Sequence, residues 1–310
     1  MKGKESSWRF KKPLILPPMA SKKPLKKPRL YLRRGEKIGK GLKSLATLQI
    51  EAALAELQGN NVSPGPVHNA RVSIKKTRSI ILLAAPALGR VRREYLLDLL
   101  HEAGSRLAPL RDSEVQIQSL DVALEATGLP VEQFASLRDG LADIAKQRRL
   151  NDFRQVPRII GFLEKVHESI PEWPLNSLGP RDLRRRIRRT YRRGRTTIDV
   201  CRSGDNEDLF HTWRKLAKHL GYQLRLTAKY WPDEAEPLLS EITKISELSG
   251  RERDYTLLLQ TMKNGPKNRS SEEAIALVTT LIPPLRQQVI ELGLRFYDPK
   301  PKLFIEPLDL

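Results

Sequence analysis

The chain has 310 residues, with 56 lysines and arginines against 36 aspartates and glutamates, so its formal net charge is +20. A surplus of this size predicts an anionic partner, although it says little about the fold. The single cysteine, Cys201, excludes an intramolecular disulfide framework and a cysteine-cluster metal site, and no apolar run approaches the ~20 residues of a membrane span. We therefore predict a cytoplasmic protein that has no membrane partner.

Lysine and proline dominate the start of the chain, and residues 1–31 are predicted to be a disordered basic tail because they lack apolar periodicity. Beyond Leu32 apolar residues recur at helical intervals. The stretch from 171 to 180 interrupts this pattern, since its prolines and glycine do not continue a helix. We predict a first helical bundle over 32–172, a second over 173–297, and a C-terminal tail over 298–310.

Helical periodicity accounts for most of the chain between the two tails. The predicted helices cover residues 42–57, 66–88, 90–108, 112–126, 131–152 and 157–170, then resume near 181 and after 204, and continue over 233–248, 254–263 and 271–295. No stretch of alternating valine or threonine indicates a sheet. The predicted fold class is therefore all-α, with two helical bundles in tandem.

One polar spacing occurs twice, about 140 residues apart, and indicates a duplicated unit. In both copies a histidine is followed by arginine at +3 and lysine at +7. The copies are His68, Arg71 and Lys75, and His211, Arg214 and Lys218. An Arg-Asp dipeptide follows the histidine after 43 residues in the first copy, at Arg111, and after 42 residues in the second, at Arg253.

At ~100° per residue, each copy forms a basic stripe beside an apolar stripe of the same helix. The basic stripes are His68, Arg71, Lys75 and Arg78, and His211, Arg214, Lys218, Tyr222 and Arg225. Cations at the margin of a packed core are positioned by that packing, so they lose less side-chain entropy when they bind an anion. We predict that both stripes contact an anionic ligand.

The segment from 184 to 195 is the most basic part of the chain. On a helix, one face carries Arg185, Arg188, Arg189, Arg192 and Arg195, and Arg193 lies in the same run. Arginines without acidic partners repel one another, and an external polyanion would neutralise them. In the opening helix of the first half, Lys40 and Lys43 correspond to Arg189 and Arg192, so the predicted site is more basic on the second half.

Structural interpretations of these features remain open at this stage. A basic helical face can be a solvated surface, and Arg111 and Arg253 can be local partners of the aspartates that follow them. Catalytic motifs are mostly absent: no His-Glu-x-x-His occurs, and acidic residues do not cluster with histidine at metal-ligand spacing. The glycines from Gly35 to Gly41 have the wrong spacing for a phosphate-binding loop. Binding without catalysis is the more economical function.

The residues resemble the CHAD domain, the conserved histidine α-helical domain, over roughly 34–296. The resemblance implies two pseudo-symmetric helical bundles whose basic helices line a central groove or pore that binds inorganic polyphosphate. It places the family's histidine and basic residues on His68, Arg71, Lys75 and Arg78, on His211, Arg214 and Lys218, and on the arginines from 185 to 193. One departure is Gly221, which stands where the first half has Arg78, so that contact is missing unless Arg225 replaces it. No fused hydrolytic domain is expected.

The predicted function is non-enzymatic binding of inorganic polyphosphate, with association with polyphosphate granules and no cofactor. The alternative is RNA or DNA binding by the same basic surface, which the aromatic content of 6% disfavours because single strands need stacking platforms. The predicted polyphosphate-binding residues are Lys40, Lys43, His68, Arg71, Lys75, Arg78, Arg111, Arg185, Arg188, Arg189, Arg192, Arg193, His211, Arg214, Lys218, Tyr222, Arg225 and Arg253.

Overall fold

The structure is a computed structural model that describes residues 29–58, 64–203, 206–231 and 235–309. These residues form twelve α-helices joined by short turns and 3-10 segments, and they contain no strand, so the predicted all-α class is confirmed. None of these helices combines the length and apolar character that a membrane crossing requires. The predicted basic tail falls, up to residue 28, outside the described residues.

The helices pack as two connected sets. They are α1 (Ile38–Leu57), α2 (Pro64–Leu83), α3 (Ala85–Leu88), α4 (Arg90–Arg106), α5 (Ala108–Thr127), α6 (Ala135–Asp152), α7 (Val156–Ser169), α8 (Pro180–Ser203), α9 (Glu207–Leu226), α10 (Ala235–Lys263), α11 (Arg269–Phe296) and α12 (Pro301–Ile305). In the first half α1 packs on α2 and α7, and α4 on α7; in the second, α9 packs on α8 and α10, and α11 on α10. Contacts of α2 with α9 and of α5 with α10 join the halves.

Two apolar cores hold the molecule together, and each draws on both halves of the chain. The larger core contains side chains of α1, α2, α4, α7, α8 and α9, together with the N-terminal part of α10 and the C-terminal part of α11. The smaller core joins α5 and α6 to the remaining parts of α10 and α11, for example through Leu120 and Leu258. The predicted division between residues 172 and 173 therefore crosses both cores.

Helix α10 is continuous where the sequence predicts a break between Leu248 and Asp254. Ser249 is fully buried and donates a hydrogen bond to the Ser246 carbonyl oxygen, and Gly250 keeps a negative φ. The ~1 kcal/mol by which glycine disfavours a helix is offset by the buried side chains on either side. The second Arg-Asp dipeptide consequently lies in the middle of a helix and not at its start.

The predicted C-terminal tail is in large part packed against the larger core. Pro301 begins α12, a position at which the missing amide hydrogen of proline costs nothing. The Phe304 ring stacks on the Tyr191 ring with centroids 3.8 Å apart, and the Tyr191 hydroxyl donates to the Pro299 carbonyl oxygen at 2.9 Å. Leu308 is fully buried. The prolines of this segment thus start and end a short helix that covers α8.

We expect Gly194→Ala to destabilise the fold, because a Cβ at this position in α8 would lie 2.6 Å from the buried Tyr297 ring. Overpacking of this kind costs about 1–3 kcal/mol. The matched control is Gly161→Ala in α7, where a Cβ meets nothing within 4 Å and alanine is the better helix former. Thermal denaturation followed by circular dichroism should show a lower Tm for the first variant only. Equal Tm values would contradict this packing.

Candidate anion-binding cavity

A cavity of about 400 Å³ lies where α2 and α5 of the first half meet α9 and α10 of the second. Its lining includes eight basic side chains: Arg71, Lys75, Arg78, Arg111, Arg214, Lys215, Lys218 and Arg253. Two carboxylates, Asp112 and Asp254, face the same space, so the formal excess is six positive charges. This concentration of one charge in a partly enclosed space is suited to an anion of high charge.

The two copies of the repeated spacing meet across the contact of α2 with α9. On α2 the apolar stripe next to the basic one is buried at Val67, Ala70 and Ile74, and on α9 it is buried at Trp213 and Ala217. Packing of these faces fixes the backbone from which the basic side chains extend into the cavity. On both helices the basic stripe therefore lies beside a buried apolar stripe, as the sequence predicts.

Lys75 and Lys218 are cavity cations whose ammonium groups are strongly disfavoured by their surroundings. Neither ammonium has an ion-pair partner among the residues that the structure describes. Burial, followed by repulsion from Lys218, lowers the pKa of Lys75 to about 7. Burial, followed by repulsion from Arg214, lowers the pKa of Lys218 to about 8. Desolvation and like charges both disfavour the ammonium form, and an anion in the cavity would reverse the second effect.

The arginines of α2 and α9 are held partly by the protein and leave donors unused. Arg71 Nη1 donates to the Gly104 carbonyl oxygen at 2.6 Å. The Nε atoms of Arg71, Arg78 and Arg214 are buried, and no hydrogen-bond partner for them occurs in the described part of the chain. Burial is the largest cause of the lowered pKa of all three guanidinium groups. Unused buried donors cost free energy that phosphate oxygens would recover.

The Arg-Asp dipeptides connect α5 to α10 across the cavity. Arg111 lies between two carboxylates, with Nη1 3.8 Å from Asp112 Oδ1 and Nη2 3.9 Å from Asp254 Oδ2. Arg253 pairs instead with Glu207, at 3.6 Å. These distances are longer than direct hydrogen bonds, so the arginines keep donors available for a ligand. Arg111 thus has a local ion-pair role and also faces the cavity, and its role in ligand binding stays a prediction.

The histidines of the two copies occupy different positions. His68 lines the cavity, where burial and then repulsion from Arg111 lower its pKa. His211 is not among the residues that line the cavity; burial and then repulsion from Lys215 lower its pKa to about 4, and its Nδ1 is buried without a hydrogen-bond partner within the described residues. Both rings are therefore neutral near pH 7 and do not add to the positive charge of this region.

Two basic residues of the cavity were missed by the sequence prediction, Lys215 and His219. The His219 Nδ1 atom lies 3.1 Å from the Ser79 hydroxyl of α2, and burial and then repulsion from Arg78 lower the pKa of His219 to about 4. Their position in the sequence could have identified them, because the two residues lie one helical turn apart on α9 and flank Lys218. They stand outside the repeated spacing, and for that reason they were overlooked.

Several predicted site residues do not line the cavity. Arg225 lines an adjoining recess instead, where it donates to the Thr243 hydroxyl at 2.7 Å, and Tyr222 lines both spaces. Lys43 donates to the Pro171 carbonyl oxygen, a contact that holds the connection between α7 and α8 against α1. The remaining predicted residues outside the cavity lining are Lys40, Arg185, Arg188, Arg189, Arg192 and Arg193, all of them exposed.

A family model described as the CHAD domain matches residues 46–263, which is more than half of the chain and includes both α2 and α9. The chain belongs to the CHAD family. A crystal structure of the CHAD domain from the plant Ricinus communis is similar to it, with a TM-score of 0.63 and 17% sequence identity. The match covers 89% of this chain and 97% of that chain, and it establishes a shared CHAD fold. A comparison with curated proteins found no match.

Proposed function

We propose that this CHAD protein binds inorganic polyphosphate in the cavity between its halves, without catalysing a reaction. The observation that carries the proposal is the excess of six positive charges in the lining, which includes two lysines that form no direct ion pair in the described residues. A linear phosphate polymer supplies a regular series of charges, and it would displace counterions from the cavity as it enters. The known polyphosphate-related roles of the family support the same ligand.

Shape favours a narrow, unbranched polymer over nucleic acid. The cavity volume of about 400 Å³ admits an extended phosphate chain but is too small for the body of a duplex. Among the described lining residues, Tyr222 is the one phenylalanine, tyrosine or tryptophan, so bases have little aromatic surface on which to stack. RNA and DNA are therefore expected to bind more weakly than polyphosphate at equal phosphate concentration.

A competition experiment tests the proposal. The chain should bind fluorescent long-chain polyphosphate at physiological salt, and unlabelled polyphosphate should displace the probe at a concentration at least about tenfold lower, counted as phosphate, than RNA or duplex DNA. Equal displacement by nucleic acid would show that charge is recognised without shape and would favour the alternative function. Chain-length analysis after incubation with Mg²⁺ should show no shortening, and shortening would contradict a purely binding role.

Polyphosphate granules are the cellular structure on which such a protein would concentrate. We propose a cytoplasmic protein that is recruited to these granules by the cavity itself. A fluorescent fusion should colocalise with granules, and a fusion that carries Lys75→Met and Lys218→Met should stay diffuse. Colocalisation that survives both substitutions would assign recruitment to another part of the chain.

A further inference from the structure

The two apolar cores meet at a boundary where small or polar side chains replace apolar ones. Five residues are buried at this boundary on α5 and α10: Ser113, Gln116, Ser119, Ser249 and Glu252. They separate Leu110 and Ile245 of the larger core from Leu120 and Tyr255 of the smaller core. Because no apolar side chain of these two stretches is buried, little free energy opposes a small displacement of one core relative to the other.

Helix α11 crosses the same boundary at its two prolines, Pro283 and Pro284, which are exposed. Proline has no amide hydrogen, so each of them removes the helical hydrogen bond to the residue four positions earlier and favours a kink. Between Val278 of the smaller core and Val289 of the larger core, no residue of α11 is fully buried. A helix that is interrupted and loosely packed at the same place is suited to act as a hinge.

A buried ion pair fastens α10 to α11 beside the prolines. Arg286 donates to Glu252 Oε1 through Nε, at 2.9 Å, and through Nη2. The guanidinium carbon of Arg286 lies 5.2 Å from the centroid of the Phe210 ring on α9. The Glu252 side chain is 4% exposed, so the pair is largely excluded from water. A fixed point between loosely packed stretches of two helices defines a pivot for their movement.

The cavity lies across this boundary, so a movement about the pivot changes its width. One side is formed by α2 and α9 and carries six of the basic groups, among them Lys75 and Lys218. The other side is formed by α5 and α10 and carries Arg111 and Arg253, each of which is 3.6 Å or more from its carboxylate partner. A polyanion on the first side would draw these two arginines toward it, so it binds a narrow cavity more tightly than a wide one.

We propose that α5 and α6, with the parts of α10 and α11 that pack on them in the smaller core, move as one unit about the pivot formed by Glu252 and Arg286 and close the cavity over a bound polyanion. This inference rests on the proposed function. The ligand gains full contact with Arg111 and Arg253 only in the closed arrangement. A difference of this kind between two arrangements changes affinity by about 5- to 150-fold.

Spin labels on two introduced cysteines measure the movement directly. Asn69→Cys on α2 and Glu125→Cys on α5 place exposed labels on the two sides of the boundary, and Cys201→Ala keeps the buried native thiol out of the labelling reaction. Pulsed electron paramagnetic resonance should show a shorter and narrower distribution of label distances when long-chain polyphosphate is added. The shift should exceed about 2 Å. Sodium chloride at the same ionic strength should produce no shift.

A hinge variant tests the part of α11. Pro283→Ala with Pro284→Ala restores two helical hydrogen bonds at exposed positions and stiffens α11 in the open arrangement. The distance shift should disappear, and affinity for polyphosphate should fall at least about fivefold. Gln287→Ala with Gln288→Ala is the matched control, because it changes exposed positions of the same helix without restoring a hydrogen bond. The control should keep both the shift and the affinity.

The other results separate the inference from the proposed function. An unchanged label distance with polyphosphate bound, in the protein that keeps both prolines, would overturn the inference and leave the proposed function standing. A full shift in the proline variant would also overturn it, because the hinge would then lie elsewhere. Failure of the unlabelled protein to bind polyphosphate would reject the proposed function itself, and the inference with it.

Discussion

Replacement of Lys75 and Lys218 by methionine should make the protein more stable and at the same time remove polyphosphate binding. Both lysines are half-buried and form no direct ion pair in the described chain, and methionine keeps an apolar stem of similar length in the same space. If removal of the charges raises the free energy of unfolding by about 1 kcal/mol, Tm rises by about 2–4 °C for a chain of this size. The rise should be larger near pH 6, where both lysines of the empty protein are charged, than near pH 9.

Binding should fall by at least about 100-fold in the same variant. Each ammonium-phosphate contact is charge-assisted and is worth about 1.5–3 kcal/mol, so two of them account for about two to four orders of magnitude. Titration of labelled polyphosphate and thermal denaturation of the same samples measure both effects. Lys146→Met with Lys263→Met is the control, because these lysines are exposed and the change in net charge is identical. A variant that binds normally, or that loses binding because it has unfolded, would refute the assigned roles.

Polyphosphate binding should take up protons from solution above about pH 8. The pKa values of about 7 for Lys75 and about 8 for Lys218 describe the empty cavity, whereas a bound polyanion favours both ammonium groups and raises their pKa values. Between about pH 8 and pH 10 the complex therefore binds up to two more protons than the empty protein. Affinity should then fall by up to about 100-fold per pH unit in that range. The second ionisation of a terminal phosphate, near pH 6, is complete there and does not contribute.

Calorimetric titration in buffers of different ionisation enthalpy measures this uptake. The charged groups that face the lysines are Arg71, Arg111, Arg214 and Asp254. The stability of the empty protein has the opposite trend: the unfolded lysines titrate near 10.5 and bind more protons than the folded ones, so the free energy of unfolding rises from about pH 7 to pH 10. Both trends should disappear in the methionine variant, and binding without proton uptake near pH 9 would contradict the lysine assignment.

The sequence predicts the helices of this protein better than it predicts their ends. Periodicity of apolar residues places α2 and α9 and the basic stripe on each of them. Breaks are harder to predict, because packing decides whether a glycine ends a helix: Gly250 continues α10, and Pro301 starts a helix in a predicted tail. Local sequence does not include the tertiary contacts that offset the intrinsic cost of these residues.

The sequence predicted the cavity residues that belong to the repeated spacing. It did not predict those that only the packing of the helices brings to the cavity. His68, Arg71 and Lys75 line the cavity, and the spacing shared with the second half identified them. Lys215 and His219 have no counterpart in that spacing, so only the contact of α9 with α2 reveals them. Charge density alone was a weaker guide, because most arginines of α8 project outward.

The eight basic groups of the cavity come in equal numbers from the two halves of the chain, four from α2 and α5 and four from α9 and α10. When only the first half of the chain has been synthesised, only one wall of the cavity exists. Association of the two halves brings four positive charges up to four others, so electrostatic repulsion opposes it.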